Sequence, residues 1–259
     1  MTRLLYIEWI KWRRFRPFQI LICLYTILFF LICFGLDDII LDKVIGDLTM
    51  GNYSSSIILE EYNPYKFPFA WHTFAFIGKF FKILLAILII NIISYEYQNG
   101  TFKQNIIQGL KRGEYLFGKF MLVFLLSTYS TLLVCIAAII GGLSYSTVSE
   151  INFYENSYYL FLSFLNTFTY LSLSVTMGVI FRNTMTAFVI LMLLWFPGDM
   201  LWLFIIPENF NMYRPFEVID ELLPFTVHQT SVWKLITVSI CYQFFYWMVS
   251  YFKMKKDLT

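Results

Sequence analysis

The segment EYQNGTFKQNIIQGLKRGEYLFGK, residues 96–119, decides the organisation of the chain. It is a long polar segment between two hydrophobic runs, and it carries clustered positive charge. A short basic loop of this kind stays in the cytoplasm by the positive-inside rule. Asn99 and Gly100 are expected to end the incoming helix, because glycine tolerates the backbone angles of a turn. The segment therefore predicts an ordered cytoplasmic element between two membrane spans.

A short amphipathic helix is predicted directly after that turn. Thr101 and Gln104 have the spacing of a capping box, in which each side chain satisfies a free amide at the start of a helix. Phe102, Ile106 and Leu110 then recur at helical spacing. We expect this apolar stripe to lie in a groove of a partner protein.

The same segment resembles the first cytoplasmic loop of type-2 ABC exporter permeases. The matching residues are Glu96, Gly100, Thr101, Arg112, Glu114, Gly118 and Lys119. The resemblance implies that the loop is a coupling helix that docks on a separate ATPase subunit. The resemblance and the apolar stripe together make eight residues candidates for this coupling: Glu96, Gly100, Thr101, Phe102, Ile106, Leu110, Arg112 and Glu114. The alternative is a loop that merely joins two spans and is basic for topology.

The resemblance also carries expectations about partners and location. It implies an ABC ATPase subunit, which would bind ATP and magnesium, and a second permease copy in a homodimer or heterodimer. This chain is expected to bind no cofactor or metal of its own. The expected location is the bacterial cytoplasmic (inner) membrane, in contact with membrane lipid.

The composition places the chain among integral membrane proteins. Hydrophobic residues make up 59% of the sequence and charged residues 14%, whereas a soluble domain carries roughly 25% charged residues. The net charge of +2 is too small to indicate nucleic-acid binding. The four cysteines have no zinc-site or redox spacing and are interpreted as apolar packing residues.

Six apolar runs predict an all-α membrane protein in which residues 1–259 form one permease domain. Residues 1–16 are interpreted either as an interfacial elbow helix or as a basic flank that fixes topology. Most Lys and Arg fall in the segments assigned to the cytoplasm, so both termini are predicted to lie there. The predicted spans are residues 17–36, 74–95, 120–143, 158–181, 184–206 and 232–252.

Two lysines within these runs are open to competing interpretations. Lys79 and Lys82 fall within the second span, where snorkelling to the outer interface is favoured over a pathway-lining role.

The sequence GEYLFGKF, residues 113–120, is close to the motif of a phosphate-binding P-loop. A Phe stands where that motif needs Ser or Thr, and no strand precedes it, so we reject ATP binding through it.

The fourth span is polar on one side. This stripe either lines a translocation path or bonds to a neighbouring helix. The candidate path residues are Ser163, Asn166, Thr167, Tyr170 and Ser174, together with Asp199 of the fifth span.

The fifth span contains Pro197, Gly198 and Asp199, three residues that disfavour a regular membrane helix. We expect the crossing helix to end near Phe196, with Asp199 at an outer vestibule. The alternative is a continuous, kinked helix with Asp199 against a polar stripe such as that of the fourth span.

The favoured function is the permease subunit of an ATP-driven exporter, with an amphipathic peptide, a drug or a lipid-like molecule as cargo. An ATP-independent channel or assembly scaffold is the alternative. A membrane-embedded enzyme is disfavoured, because the sequence has no HExxH motif, no GxSxG motif and no pair of intramembrane carboxylates.

Overall fold

The computed structural model describes residues 16–35, 65–146, 153–154, 156–205 and 232–256, and for residues 196–205 and 232 it describes the backbone. The predicted elbow helix and most of the predicted outer loops lie outside the described residues. The described chain folds into seven α-helices and contains no strand. They are α1 (Arg16–Gly35), α2 (Ala70–Gln98), α3 (Thr101–Ile107), α4 (Arg112–Tyr145), α5 (Tyr158–Phe181), α6 (Thr184–Ile205) and α7 (Val232–Lys256).

Five of these helices, α1, α2, α4, α5 and α7, are long and apolar enough to cross a membrane by length and composition. The predicted spans agree with the helices within a few residues, except where α2 and α4 are longer. Helix α4 begins at Arg112 rather than near residue 120. Residues 113–120 are therefore helical, and this geometry is incompatible with a loop that cradles phosphate.

Helix α5 lies at the centre of the bundle. It packs against α2, α4, α6 and α7, and most of its residues are buried. Polar side chains join it to α7: the Thr176 hydroxyl donates to the carbonyl oxygen of Tyr246 at 3.1 Å, and Gln243 Nε2 donates to Thr169 Oγ1 at 3.0 Å. Such bonds hold helices together where an apolar environment gives no hydrophobic driving force.

Helices α2 and α4 approach each other closely near Ala70. Gly141 and Gly142 of α4 face the rings of Phe74 and Phe67, and a Cβ atom at either glycine would overlap those rings. The Ser146 hydroxyl also accepts a hydrogen bond from the Phe67 amide at 3.0 Å. Helix α4 is therefore interlocked with α2 and with the residues just before α2 at this end, which we call the Ala70 end of the bundle.

Helix α6 corrects the expectation for the fifth span. It continues as one α-helix from Thr184 through Pro197, Gly198 and Asp199 to Ile205, so the predicted break near Phe196 is wrong. Proline removes one backbone donor, but neighbouring helices and local adjustments tolerate this within a membrane. The direction of the Asp199 side chain lies outside the described part of the structure.

Candidate functional site

The carboxylate of Glu96 joins the end of α2 to the start of α4. Its Oε1 atom lies 2.8 Å from Nζ of Lys119, and its Oε2 atom accepts a 2.6 Å hydrogen bond from the Tyr115 hydroxyl. All three residues are buried. A charge-assisted pair of this kind is short and directional, and its loss inside a protein is costly. The pair therefore fixes the spacing of α2 and α4 at what we call the Glu96 end of the bundle.

The turn between α2 and α3 is built on the same residue. Gly100 has a φ angle of 69°, in the left-handed region that favours glycine. The Thr101 hydroxyl donates to the backbone carbonyl of Glu96 at 3.0 Å. The expected capping box of Thr101 and Gln104 is wrong, because Gly100 is the N-cap and no side chain caps α3. Thr101 instead closes the turn onto α2.

Helix α3 is anchored by an aromatic side chain. Phe102 is 1% exposed, and its ring centroid lies 4.6 Å from that of Tyr97 and 4.9 Å from that of Tyr115. Ile106 and Leu110 are half-buried against the same core. The predicted apolar stripe thus packs against its own chain. Its role in contacting a partner stays a prediction for Ile106 and Leu110. Phe102 has almost no exposed surface through which it could contact a partner.

The opposite face of α3, which we call the outward face, is open. Its exposed residues are Lys103, Gln104, Ile107 and Gln108. Ile107 is 86% exposed, a large fraction for an apolar side chain on a short helix. No sequence pattern indicated Ile107, because it lies one residue off the periodic stripe.

Arg112 and Glu114 occupy the start of α4. Glu114 Oε2 accepts a 3.0 Å hydrogen bond from the Lys111 amide, so this carboxylate caps α4. Arg112 is half-buried and lines an open groove between the α3–α4 connection and α7. Both residues lie beside α3, and neither contributes to the Glu96 carboxylate contacts described above.

A second contact reaches the turn between α5 and α6. The Arg182 guanidinium lies 5.5 Å from the Tyr97 ring, and Gln98 Nε2 donates to the Arg182 carbonyl at 3.3 Å. The Tyr97 ring also packs at a tilt against Phe102, so α3 is linked through Tyr97 to the α5–α6 turn. Arg182 directly follows α5, and no local pattern in the sequence indicated this long-range contact.

A buried cluster around one charged side chain, Lys82, lies deep in the bundle, where α2, α5 and α6 meet. The Lys82 ammonium donates to Oδ1 of Asn166, and it lies 4.8 Å from the Tyr170 ring and 5.8 Å from the Trp195 ring. Lys82 is 1% exposed, and it lies twelve residues, or about 18 Å of helix, from the start of α2 at Ala70. The snorkelling interpretation is therefore wrong for Lys82. Lys79 is half-exposed beside the Phe76 and Phe80 rings.

The polar stripe of α5 is buried throughout. Asn166 and Tyr170 contact Lys82, whereas the Ser174 hydroxyl donates to the carbonyl of Tyr170 in its own helix. Ser163 and Thr167 are also buried. The bonds to α7 come instead from Thr169 and Thr176, described above, which lie off the predicted stripe. Among the described residues, no group of three or more His, Cys, Asp or Glu side chains is placed to hold a metal ion.

Comparison with known proteins supplies the family. No curated protein and no solved structure matches the chain. The family model described as ABC-2 family transporter protein matches residues 4–198. This range includes residues 96–119, helices α1 to α5 and the first part of α6. Because the match covers most of the sequence and agrees with the helical membrane fold, the chain belongs to the ABC-2 family of transporter proteins.

Proposed function

We propose that this protein is the membrane-spanning permease subunit of an ATP-driven exporter, and that α3 is its coupling helix. The observation that carries the proposal is the set of contacts that hold α3 in place. Glu96, Thr101, Tyr115 and Lys119 tie its two flanks together, and Phe102 anchors it, while its outward face is left for a partner. A helix held this firmly can pass a displacement to α2 and α4 without bending.

The remaining parts of the proposal follow from the family and the charge pattern. The complete subunit has six spans, with α6 as the fifth, and both termini lie in the cytoplasm of a bacterium. Two permease copies pair with two ATPase subunits, which bind ATP and magnesium. Transport runs outward, and the cargo is an amphipathic peptide, a drug or a lipid-like molecule, because the described helices are rich in aromatic side chains.

The experiment is co-purification of the permease with its ATPase subunit. Ile107→Asp places a charge at the centre of the outward face, so we expect it to release the ATPase while the permease still inserts into the membrane. Tyr154→Asp is the matched control, because Tyr154 is 91% exposed and lies beyond the other end of the bundle. Recovery of an intact complex with Ile107→Asp, at wild-type ATPase activity, would show that α3 is not the docking element.

A further inference from the structure

An open groove lies at the Glu96 end of the bundle, beside α3. It has a volume of about 580 Å³ and is bounded by the α3–α4 connection and by Tyr251 of α7. Its remaining lining residues are Ile106, Leu110, Lys111, Arg112, Gly113 and Glu114. This volume lies within the range of small-ligand sites, which is roughly 300–1,000 Å³.

The rim of the groove is positively charged. Lys111 is exposed and Arg112 is half-exposed, and these two positive charges outnumber the one carboxylate, Glu114, which accepts a hydrogen bond from the Lys111 amide. Lys255 and Lys256 are exposed one turn beyond Tyr251 on α7. Basic clusters next to the end of a membrane helix attract anionic lipid headgroups. The charge of the rim therefore favours a negatively charged occupant.

The groove continues into an apolar surface on α7. Phe244, Met248, Tyr251 and Phe252 are exposed and follow one another at helical spacing, so they form one face of the helix. This face runs from the groove towards the middle of the helix, where the acyl chains of a bilayer lie. Tyrosine at such a boundary matches the interface, since its ring is apolar and its hydroxyl is polar.

We propose that this groove binds one anionic phospholipid, with its phosphate between Lys111 and Arg112 and its acyl chains along the exposed face of α7. A phospholipid combines the two chemistries that the groove presents, a negative headgroup and a long apolar chain that enters the bilayer. The site adjoins α3 at Ile106 and the α3–α4 connection at Leu110, so a bound lipid would brace α3 against α7. The inference is independent of the ATPase docking proposed above.

The test uses the full-length chain in nanodiscs of equal parts phosphatidylglycerol and phosphatidylcholine. After mild detergent extraction, native mass spectrometry counts the lipids that stay bound. We expect phosphatidylglycerol to be retained in preference by the wild type. Lys111→Gln should lower that retention about fivefold, and Lys111→Gln with Arg112→Gln about 25-fold, from the contribution of each basic side chain near an anionic surface. Lys103→Gln removes an equal charge from the outward face and should change retention less than about twofold.

Three outcomes would overturn the inference. Equal retention of both lipids by the wild type would show that the groove has no preference for a negative headgroup. An equal loss with Lys103→Gln would show that the binding reflects surface charge alone. Unchanged lipid retention in the double variant, together with loss of the ATPase on co-purification, would assign the groove to the ATPase. Because Lys111 is exposed, Lys111→Gln is expected to fold, and its unfolding midpoint in phosphatidylcholine nanodiscs checks this.

Discussion

Replacing Glu96 with Gln should destabilise the protein by about 3 kcal/mol. The substitution keeps an acceptor for the Tyr115 hydroxyl but removes the negative charge that faces the Lys119 ammonium at 2.8 Å. Breaking a buried ion pair by removing one partner costs about 3–5 kcal/mol. We take the lower end of that range for two reasons. The Glu96 side chain is 10% exposed, and Glu96 lies only two residues before the end of α2.

The assay is reversible unfolding in mixed micelles, followed by tryptophan fluorescence. A double-mutant cycle with Glu96→Gln, Lys119→Met and the combined variant isolates the pair, and the combined variant should cost clearly less than the sum of the two single changes. Glu114→Gln is the matched control, since Gln keeps the acceptor for the Lys111 amide and loses only the charge near the start of α4, which should cost less than about 1 kcal/mol. If Glu96→Gln stays within about 0.5 kcal/mol of the wild type, or if the two single changes add, the pair does not hold α2 to α4.

Three further predictions concern topology, the buried cluster and the fifth span. In a variant without native cysteines, Tyr154→Cys should react with an impermeant maleimide added to sealed cells and Gln108→Cys should not; labelling of the latter from outside would reverse the orientation. Asn166→Leu should cost about 2 kcal/mol by removing the acceptor of the Lys82 ammonium, whereas Asn166→Asp should unfold no earlier than the wild type; equal unfolding midpoints for the two variants would contradict this. Asp199→Asn should lower transport more than it lowers complex recovery, and unchanged transport would show that Asp199 is not needed on the cargo route.

The helices were predictable because their signals are local. Apolar runs of about 20 residues mark the spans, and Asn99-Gly100 marks a turn by the backbone freedom of glycine. The family motif also placed Glu96 and Lys119 in one segment. Tyr115 was missed, although it precedes Lys119 by four residues and so shares its helix face.

The contacts between helices were not predictable from one sequence. Lys82 meets Asn166 across 84 residues. Snorkelling was the favoured interpretation of this lysine, because a lysine within an apolar run shows its burial only once its neighbours are known. The continuity of α6 through Pro197 likewise depends on its surroundings, since an isolated helix would be broken there. Ile107 became notable only when the packing of Phe102 fixed the rotation of α3.

The close packing of Gly141 and Gly142 against Phe74 and Phe67 makes the Ala70 end of the bundle a fulcrum. Helix α2 has 29 residues and is therefore about 44 Å long, so a tilt of about 5° around this fulcrum moves its far end by about 4 Å. Residues near the fulcrum would barely shift, while Glu96, Tyr97 and the α3 they carry would travel furthest. A displacement applied to α3 thus becomes a much smaller displacement at the Ala70 end of the bundle. We expect side chains larger than glycine at positions 141 and 142 to change this leverage by forcing α2 and α4 apart.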